Sequence, residues 1–300
     1  MVANQMNKLF VKQNEFTKEV LSSKKFDLSN LTENDKVFWT KEYVIAMMKE
    51  LAEVLDNLDW KHHRKRIEKT HLPNVLEELI DLQKYLWGMM SIWQVNYLDF
   101  VDAFKKKSFV VEERFRMEKV SFAHPSLFID LDGVISKYPE SFLQWIKREY
   151  PNISLISKRE NPILWEEMKN KYRTDGGKQE AIVVPGVKQF LQSLRSKGWQ
   201  IVIFTYRPIH LFKSIEYDTL FWLQKSKIPF DKIVWAIMEK SFYLSSGALD
   251  CDVFIDDDVE TCLSVANIGK KVFCMTDRPL PIPTFSSFNK GEAIWQICGN

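Results

Sequence analysis

Paired carboxylates closing apolar runs are the first chemical signal in this chain. SLFIDLDGVIS ends in Asp130-x-Asp132-Gly133, and VFIDDD delivers Asp256 and Asp257. Between them, IVIFTYRP supplies Thr205 and then the cation Arg207, and IMEKSF supplies Lys240. Acidic groups, a hydroxyl and cations at the carboxyl ends of strands fall where open α/β sheets build their sites. Singly, each Asp is an ordinary turn or cap residue; the combination carries the information.

A second acidic set lies in the first third. Glu50 and Glu53 are three apart in KELAEVLDNLDWK, as are Glu78 and Asp81 in VLEELIDL, so each pair shares one helix face. Both interrupt apolar surroundings, Leu51, Val54 and Leu55 at one and Leu79, Ile80 and Leu82 at the other. Four carboxylates packed into a partly buried space would repel one another and lose hydration. Oxygen-only donors of this kind suit Mg²⁺, which keeps several waters and bridges to substrate phosphates. A solvated Glu-rich face is the plain alternative. The segment Trp60-Lys61-His62-His63-Arg64-Lys65-Arg66 favours the metal, because it adds cations suited to a polyphosphate and a ring suited to stacking on a base.

The elements that must position these groups differ between the two halves. Apolar residues recur every three or four positions through Tyr43–Leu55 and Val75–Met89, which predicts amphipathic helices and a helical bundle. Asn30 or Thr32 can cap one helix, and Pro73 suits the first turn of another. After His124-Pro125, short β-branched runs alternate with amphipathic stretches, the pattern of a parallel sheet with helical crossovers. The join is expected in the charged segment 111–123, and the Pro279–Pro283 stretch as extended surface.

At 300 residues the chain is long enough for two domains. Lys and Arg number 42 against 40 Asp and Glu, a net charge of +2, which gives no whole-chain case for a nucleic-acid binder. No apolar run is long enough to span a membrane and the N-terminus lacks a signal-peptide core, so a cytoplasmic, soluble protein is expected. The four cysteines all lie in the last fifty residues without a CxxC pair and are expected as thiols, not as a disulfide framework or zinc site.

In combination, Glu50-Leu51-Ala52-Glu53, Trp60-Lys61 and Asn74-Val75-Leu76-Glu77-Glu78-Leu79-Ile80-Asp81 resemble the all-α nucleoside triphosphate pyrophosphatases, in particular the dimeric, MazG-related dUTPases. Leu9-Phe10-Val11-Lys12-Gln13 resembles that family's first segment. The likeness spans roughly residues 5–116. It implies that Glu50, Glu53, Glu78 and Asp81 bind Mg²⁺, that Gln13, Trp60, Lys61, Asn74 and Arg114 contact the nucleotide, and that the chain forms a homodimer. The reaction implied is attack of water on the α-phosphorus, giving nucleoside monophosphate and pyrophosphate. Thr17 departs from the family pattern, as does Lys107-Ser108-Phe109-Val110-Val111-Glu112-Glu113-Arg114, where two expected Asn are absent; these changes bear on the base accepted.

The second half resembles the haloacid dehalogenase (HAD) phosphohydrolases. That likeness implies Asp130 as nucleophile forming an aspartyl-phosphate, Asp132 as proton carrier, Thr205 and Lys240 as phosphate-contacting groups, and Arg207 as a substrate contact. It assigns Mg²⁺ to Asp130, the backbone carbonyl of Asp132, Asp256 and Asp257. Lys232 is the competing lysine. The insert between the first two motifs predicts a small helical cap, similar to that of deoxyribonucleotidases, in which Trp145, Trp165 and Tyr172 could stack a base. Gly176-Gly177 is expected as a plain turn.

The fold expected is thus multi-domain: an all-α bundle over residues 1–118, then an α/β Rossmann-like HAD core over 119–300 with its cap at about 136–184. The function expected is sequential Mg²⁺-dependent hydrolysis of small-molecule nucleotides, (d)NTP to (d)NMP and then to nucleoside. The alternatives are a polynucleotide end phosphatase and a nucleotide sensor with an inactive helical half.

Overall fold

The computed structural model describes residues 2–58, 72–153, 159 and 161–299. The chain forms two compact units, Met1–Lys105 and Lys106–Asn300. The division lies inside α4 (Tyr97–Glu118), N-terminal to the segment 111–123 in which the sequence places the join.

The first unit is built from α1 (Val2–Ser23), α2 (Glu33–Asp56), α3 (Leu72–Ile92) and the start of α4. Thr32 caps α2 in a reciprocal box: its hydroxyl accepts from the Asp35 amide at 3.2 Å, and the Asp35 carboxylate accepts from the Thr32 amide at 3.0 Å. Phe10, Leu21, Trp87, Met90 and Ile92 are buried. Many apolar side chains stay outside: Ile45 and Met48 on α2 are 63% and 65% exposed, Leu76 and Ile80 on α3 56% and 51%.

The second unit holds a parallel sheet of six strands in the order β3-β2-β1-β4-β5-β6. These are β1 (Ser126–Ile129), β2 (Gln200–Thr205), β3 (Lys232–Trp235), β4 (Val253–Asp256), β5 (Lys271–Met275) and β6 (Thr284–Phe285). β1, β2 and β4 are buried along their whole length, which is why they read as continuous apolar runs. Side chains alternate between two cores. Leu127, Ile129, Ile201, Ile203, Val253 and Ile255 face one side, with Val110 and Met117 from the latter part of α4. Phe128, Val202, Phe204 and Phe254 face the other. The proline-rich stretch leads into β6, which pairs with β5.

Helices α7 (Val187–Ser196), α8 (Ser214–Lys225), α9 (Lys240–Ser245), α10 (Val259–Asn267) and α11 (Gln296–Gly299) follow or separate the strands. The insert after β1 forms the expected small cap, with α5 (Glu140–Glu149), α6 (Pro162–Thr174) and a 3₁₀ turn, Gly177–Glu180. Phe142, Trp145, Ile146, Met168 and Tyr172 make its core. Trp165 stands edge-on to Phe142 at 5.0 Å. Trp145 and Trp165 thus hold the cap together, and of the three aromatics named for base stacking only Tyr172 borders the strand-end cavity. No helix among the described residues is long and apolar enough to cross a membrane. Cys251, Cys262 and Cys274 are free, buried thiols.

Candidate active sites

Three adjacent strands deliver the larger cluster. Asp130 follows β1 immediately, and its amide donates to the Ile255 carbonyl of β4 at 2.8 Å, which fixes the turn. Thr205 ends β2, Asp256 ends β4, and Lys240 opens α9. The Lys240 ammonium donates to Asp130 Oδ1 at 2.5 Å and to Asp256 Oδ2 at 2.7 Å, with only 1% of the side chain exposed. Lys232, the competing lysine, instead donates to the Val120 carbonyl.

Burial pushes the Asp130 carboxyl well above the usual carboxylate range, against the pull of Lys240. Burial also pushes Asp257 up to about 7, with Asp256 beside it adding to the shift. Oxygens of Asp130, Asp256 and Asp257 all lie within 4.8 Å of one another. Three carboxylates against one ammonium leave excess negative charge in a buried space. An all-oxygen donor set with that excess fits a hard divalent cation such as Mg²⁺. Gly133 has φ +97°, and a Cβ there would lie 2.0 Å from Asp257 Oδ2; only glycine leaves that carboxylate in place.

The Asp132 side chain stands outside this cluster. Its Oδ1 accepts from Arg207 Nη2 at 2.6 Å and from Ser136 Oγ at 2.9 Å. Its Oδ2 accepts from Arg207 Nε at 3.0 Å and from Lys178 Nζ at 2.8 Å. Burial opposes ionisation here, but Arg207 and Lys178 outweigh it and hold the carboxyl far below the usual range. With its oxygens committed to these cations, Asp132 has only its backbone carbonyl to offer a metal. Arg207 is anchored from behind by a bond to Thr219 Oγ1 at 2.7 Å. A cavity of about 240 Å³ connects Asp130, Asp132, Thr205, Lys240 and Asp257 with Tyr172, Arg173 and Lys178 of the cap.

Lys178 is the functional candidate the sequence does not reveal. It is 6% exposed, burial pushes its ammonium down to about 8, and it sits on the turn after Gly176-Gly177. The available signal was that glycine pair: a Cβ on Gly177 would meet the Tyr172 ring at 2.1 Å, so the turn must be bare to pass beneath it.

In the helical unit, Glu50, Glu78 and Asp81 bring carboxylate oxygens within 4.8 Å. Glu50 is buried at 7% exposure. Loss of hydration, then the Glu50 contact, raise the Glu78 carboxyl above its usual value. This set too offers oxygens alone with charge to be neutralised, and it fits Mg²⁺. Glu53 stands outside the cluster and pairs with Lys49 at 2.6 Å. Asn74 donates to Asn57 Oδ1 at 3.1 Å, joining the facing ends of α2 and α3. Gln13 lines an apolar groove of about 660 Å³ with Leu9, Phe16, Leu79 and Trp87. Trp60 and Lys61 lie outside the described residues. Arg114 belongs to the other unit, where it makes a two-pronged pair with Glu216 of α8, Nε to Oε1 at 2.6 Å.

Residues 5–152 match the dUTPase family model, so the likeness read from the N-terminal motifs holds. No curated protein matches the chain. Among solved structures, the HAD-hydrolase YfnB of Bacillus subtilis bound to magnesium aligns at 13% identity over 60% of this chain and all of its own (100%), TM-score 0.45. A HAD-superfamily hydrolase of Geobacter sulfurreducens aligns at 17% identity over 56% and 96%, TM-score 0.39. The D,D-heptose 1,7-bisphosphate phosphatase of B. bronchiseptica, complexed with magnesium and phosphate, aligns at 11% identity over 58% and 98%, TM-score 0.36. The chain joins a helical part, covered by the dUTPase family model, to a part built on a parallel six-stranded sheet.

Proposed function

We propose that this protein is a two-centre nucleotide hydrolase, releasing pyrophosphate from a (d)NTP in the helical unit and phosphate from the resulting (d)NMP in the sheet unit. The observation that carries this reading is the pair of separate all-oxygen clusters, Glu50/Glu78/Asp81 and Asp130/Asp256/Asp257, one in each unit. Mg²⁺ held by these residues would neutralise the phosphate chain in the helical unit, and the phosphate and the Asp130 carboxylate in the sheet unit.

In the sheet unit, Asp130 attacks phosphorus; an Asp–O–P bond forms as the bond to the nucleoside oxygen breaks. Lys240 keeps Asp130 in line and partners the transferring oxygens, and Thr205 donates to them. Asp132 then takes the proton of the water that cleaves the aspartyl-phosphate, a base role its ionised state suits. To protonate the leaving oxygen in the first step, it must let go of one of its two cations and take up a proton from solvent, which passes to the leaving oxygen and is replaced by the proton of the attacking water. In the helical unit, water attacks the α-phosphorus, and the Gln13-lined groove takes the base.

The exposed apolar faces of α2 and α3 support a homodimer through the helical unit. Nucleic acid is not expected as a partner, and the near-neutral charge favours small nucleotides. Incubation with each dNTP and Mg²⁺, with products separated, tests the scheme. Glu50→Gln should abolish pyrophosphate release and spare phosphomonoester hydrolysis, and Asp130→Asn should do the reverse. Appearance of neither product would overturn the reading.

A further inference from the structure

The leaving-group side of the sheet-unit cavity carries one more cation than its own carboxylate needs. Arg207 alone spans both oxygens of Asp132, at 2.6 and 3.0 Å. Lys178 is a second buried cation on the same carboxylate, at 2.8 Å. Burying an ammonium is costly unless a partner uses it. At the opposite side, Lys240 and a divalent cation would balance Asp130, Asp256 and Asp257. On the Lys178 side the further buried acid is Asp218, which lies near Arg207 but whose Oδ1 accepts from Gln179, so Asp132 is the carboxylate that both cations share.

Lys178 is also mounted with care. Gln179 Nε2 donates to Asp218 Oδ1 at 2.7 Å, and Trp222 Nε1 donates to the Ala181 carbonyl at 2.6 Å. Both bonds pin the turn to α8. The Lys178 ammonium stands 5.1 Å from the Tyr138 ring centre and 5.3 Å from that of Tyr172, aromatic faces that support a cation without neutralising it. The side chain borders the open cavity.

We propose that Lys178, with Arg207, forms a receptor for a second anionic group on the substrate, and that this centre therefore prefers phosphomonoesters carrying a second phosphate, such as nucleoside bisphosphates. Asp132 stands in for that anion in the free protein. The proposal rests on the phosphomonoesterase reading of this unit and extends it; nucleoside monophosphates remain substrates, and bisphosphates are better ones. Lys178 is a specificity-determining residue here.

The test compares kcat/KM for thymidine 5′-monophosphate, thymidine 3′-monophosphate and thymidine 3′,5′-bisphosphate with Mg²⁺. One charge-assisted contact predicts a preference of about 10- to 100-fold for the bisphosphate. Lys178→Met should bring that ratio close to one, while Lys178→Arg should retain most of it; because the readout is a ratio, a partly folded variant does not distort it. In Asp130→Asn, the Kd for bisphosphate against monophosphate should show the same Lys178-dependent gap. Equal kcat/KM for all three substrates in the unaltered protein, or an equal loss on all three in Lys178→Met, would overturn the proposal. Absence of turnover on every monoester would instead overturn the phosphomonoesterase reading, and the Kd ratio would then decide the receptor separately.

Discussion

Adding one methyl group at Gly133 probes the sheet-unit centre most sharply. A Cβ there would stand 2.0 Å from Asp257 Oδ2 and 2.7 Å from Oδ1, where contacts below 3.0 Å do not persist. The Asp257 carboxylate must therefore retreat by about 1 Å, a displacement that at a reacting centre costs about 100-fold in rate. The backbone adds to this, because φ is +97°; a side chain in that region costs about 1–3 kcal/mol. Gly133→Ala should therefore lower kcat/KM for phosphomonoesters by about 100-fold, weaken Mg²⁺ binding in calorimetry, and leave pyrophosphate release untouched. A double-mutant cycle separates the two costs. In an Asp257→Ala background the added methyl meets no carboxylate, so it should cost stability but little further activity. Full phosphomonoester activity in Gly133→Ala, or an undiminished rate loss in the Asp257→Ala background, would refute the reasoning.

Asp132→Ala leaves Arg207 and Lys178 buried without their counter-charge and should destabilise the sheet unit by about 3–5 kcal/mol in urea unfolding; adding Lys178→Met should recover part of that loss. Without divalent cations, stability should fall as pH rises from 5 towards 7. Asp257 titrates near 7 when folded against 3.8 as a free group, so the folded state holds the extra proton in that window and loses its advantage as the carboxyl ionises. Asp132, shifted the other way, keeps its contribution throughout the window, and Mg²⁺ should abolish the decline, as denaturation at pH 5 and 7 with and without the ion would reveal. If the α2 and α3 faces meet a second copy, Ile45→Glu or Ile80→Glu should halve the mass seen in sedimentation equilibrium, from twice 35.5 kDa to once.

The strand-end residues were legible because parallel strands buried on both faces leave an unbroken apolar signature, and an Asp directly after one stands out against it. Asp130, Thr205, Asp256 and Asp257 all sit at such ends. Glu50, Glu78 and Asp81 were legible from helical spacing; the same spacing sets Lys49 one turn before Glu53, and the structure takes that ion pair. Lys178 left only the weak signal of the glycine pair before it, because the residues that pin its turn, Asp218 and Trp222, stand 39 and 41 positions from their partners there. Arg114 falls in the same class, since its partner Glu216 is 102 positions further on. Of the cap aromatics, Trp145 and Trp165 pack in the local core, and Tyr172 also borders the cavity; a helical ring's spacing does not separate these two roles.

The centre of the sheet has a bearing on how the protein is made. Asp130 directly follows β1, which lies between β2 and β4, yet its bonded partner Lys240 stands 110 positions later in the chain, and Asp256, the other carboxylate on that ammonium, later still. A ribosome that has reached residue 250 has already extruded the nucleophile and most of the cap, but not the strand that closes the other side of it. Until that strand docks, the emerging polypeptide cannot hold the Asp130/Asp256/Asp257 cluster, so the sheet-unit centre is assembled only after residue 256 has left the ribosome.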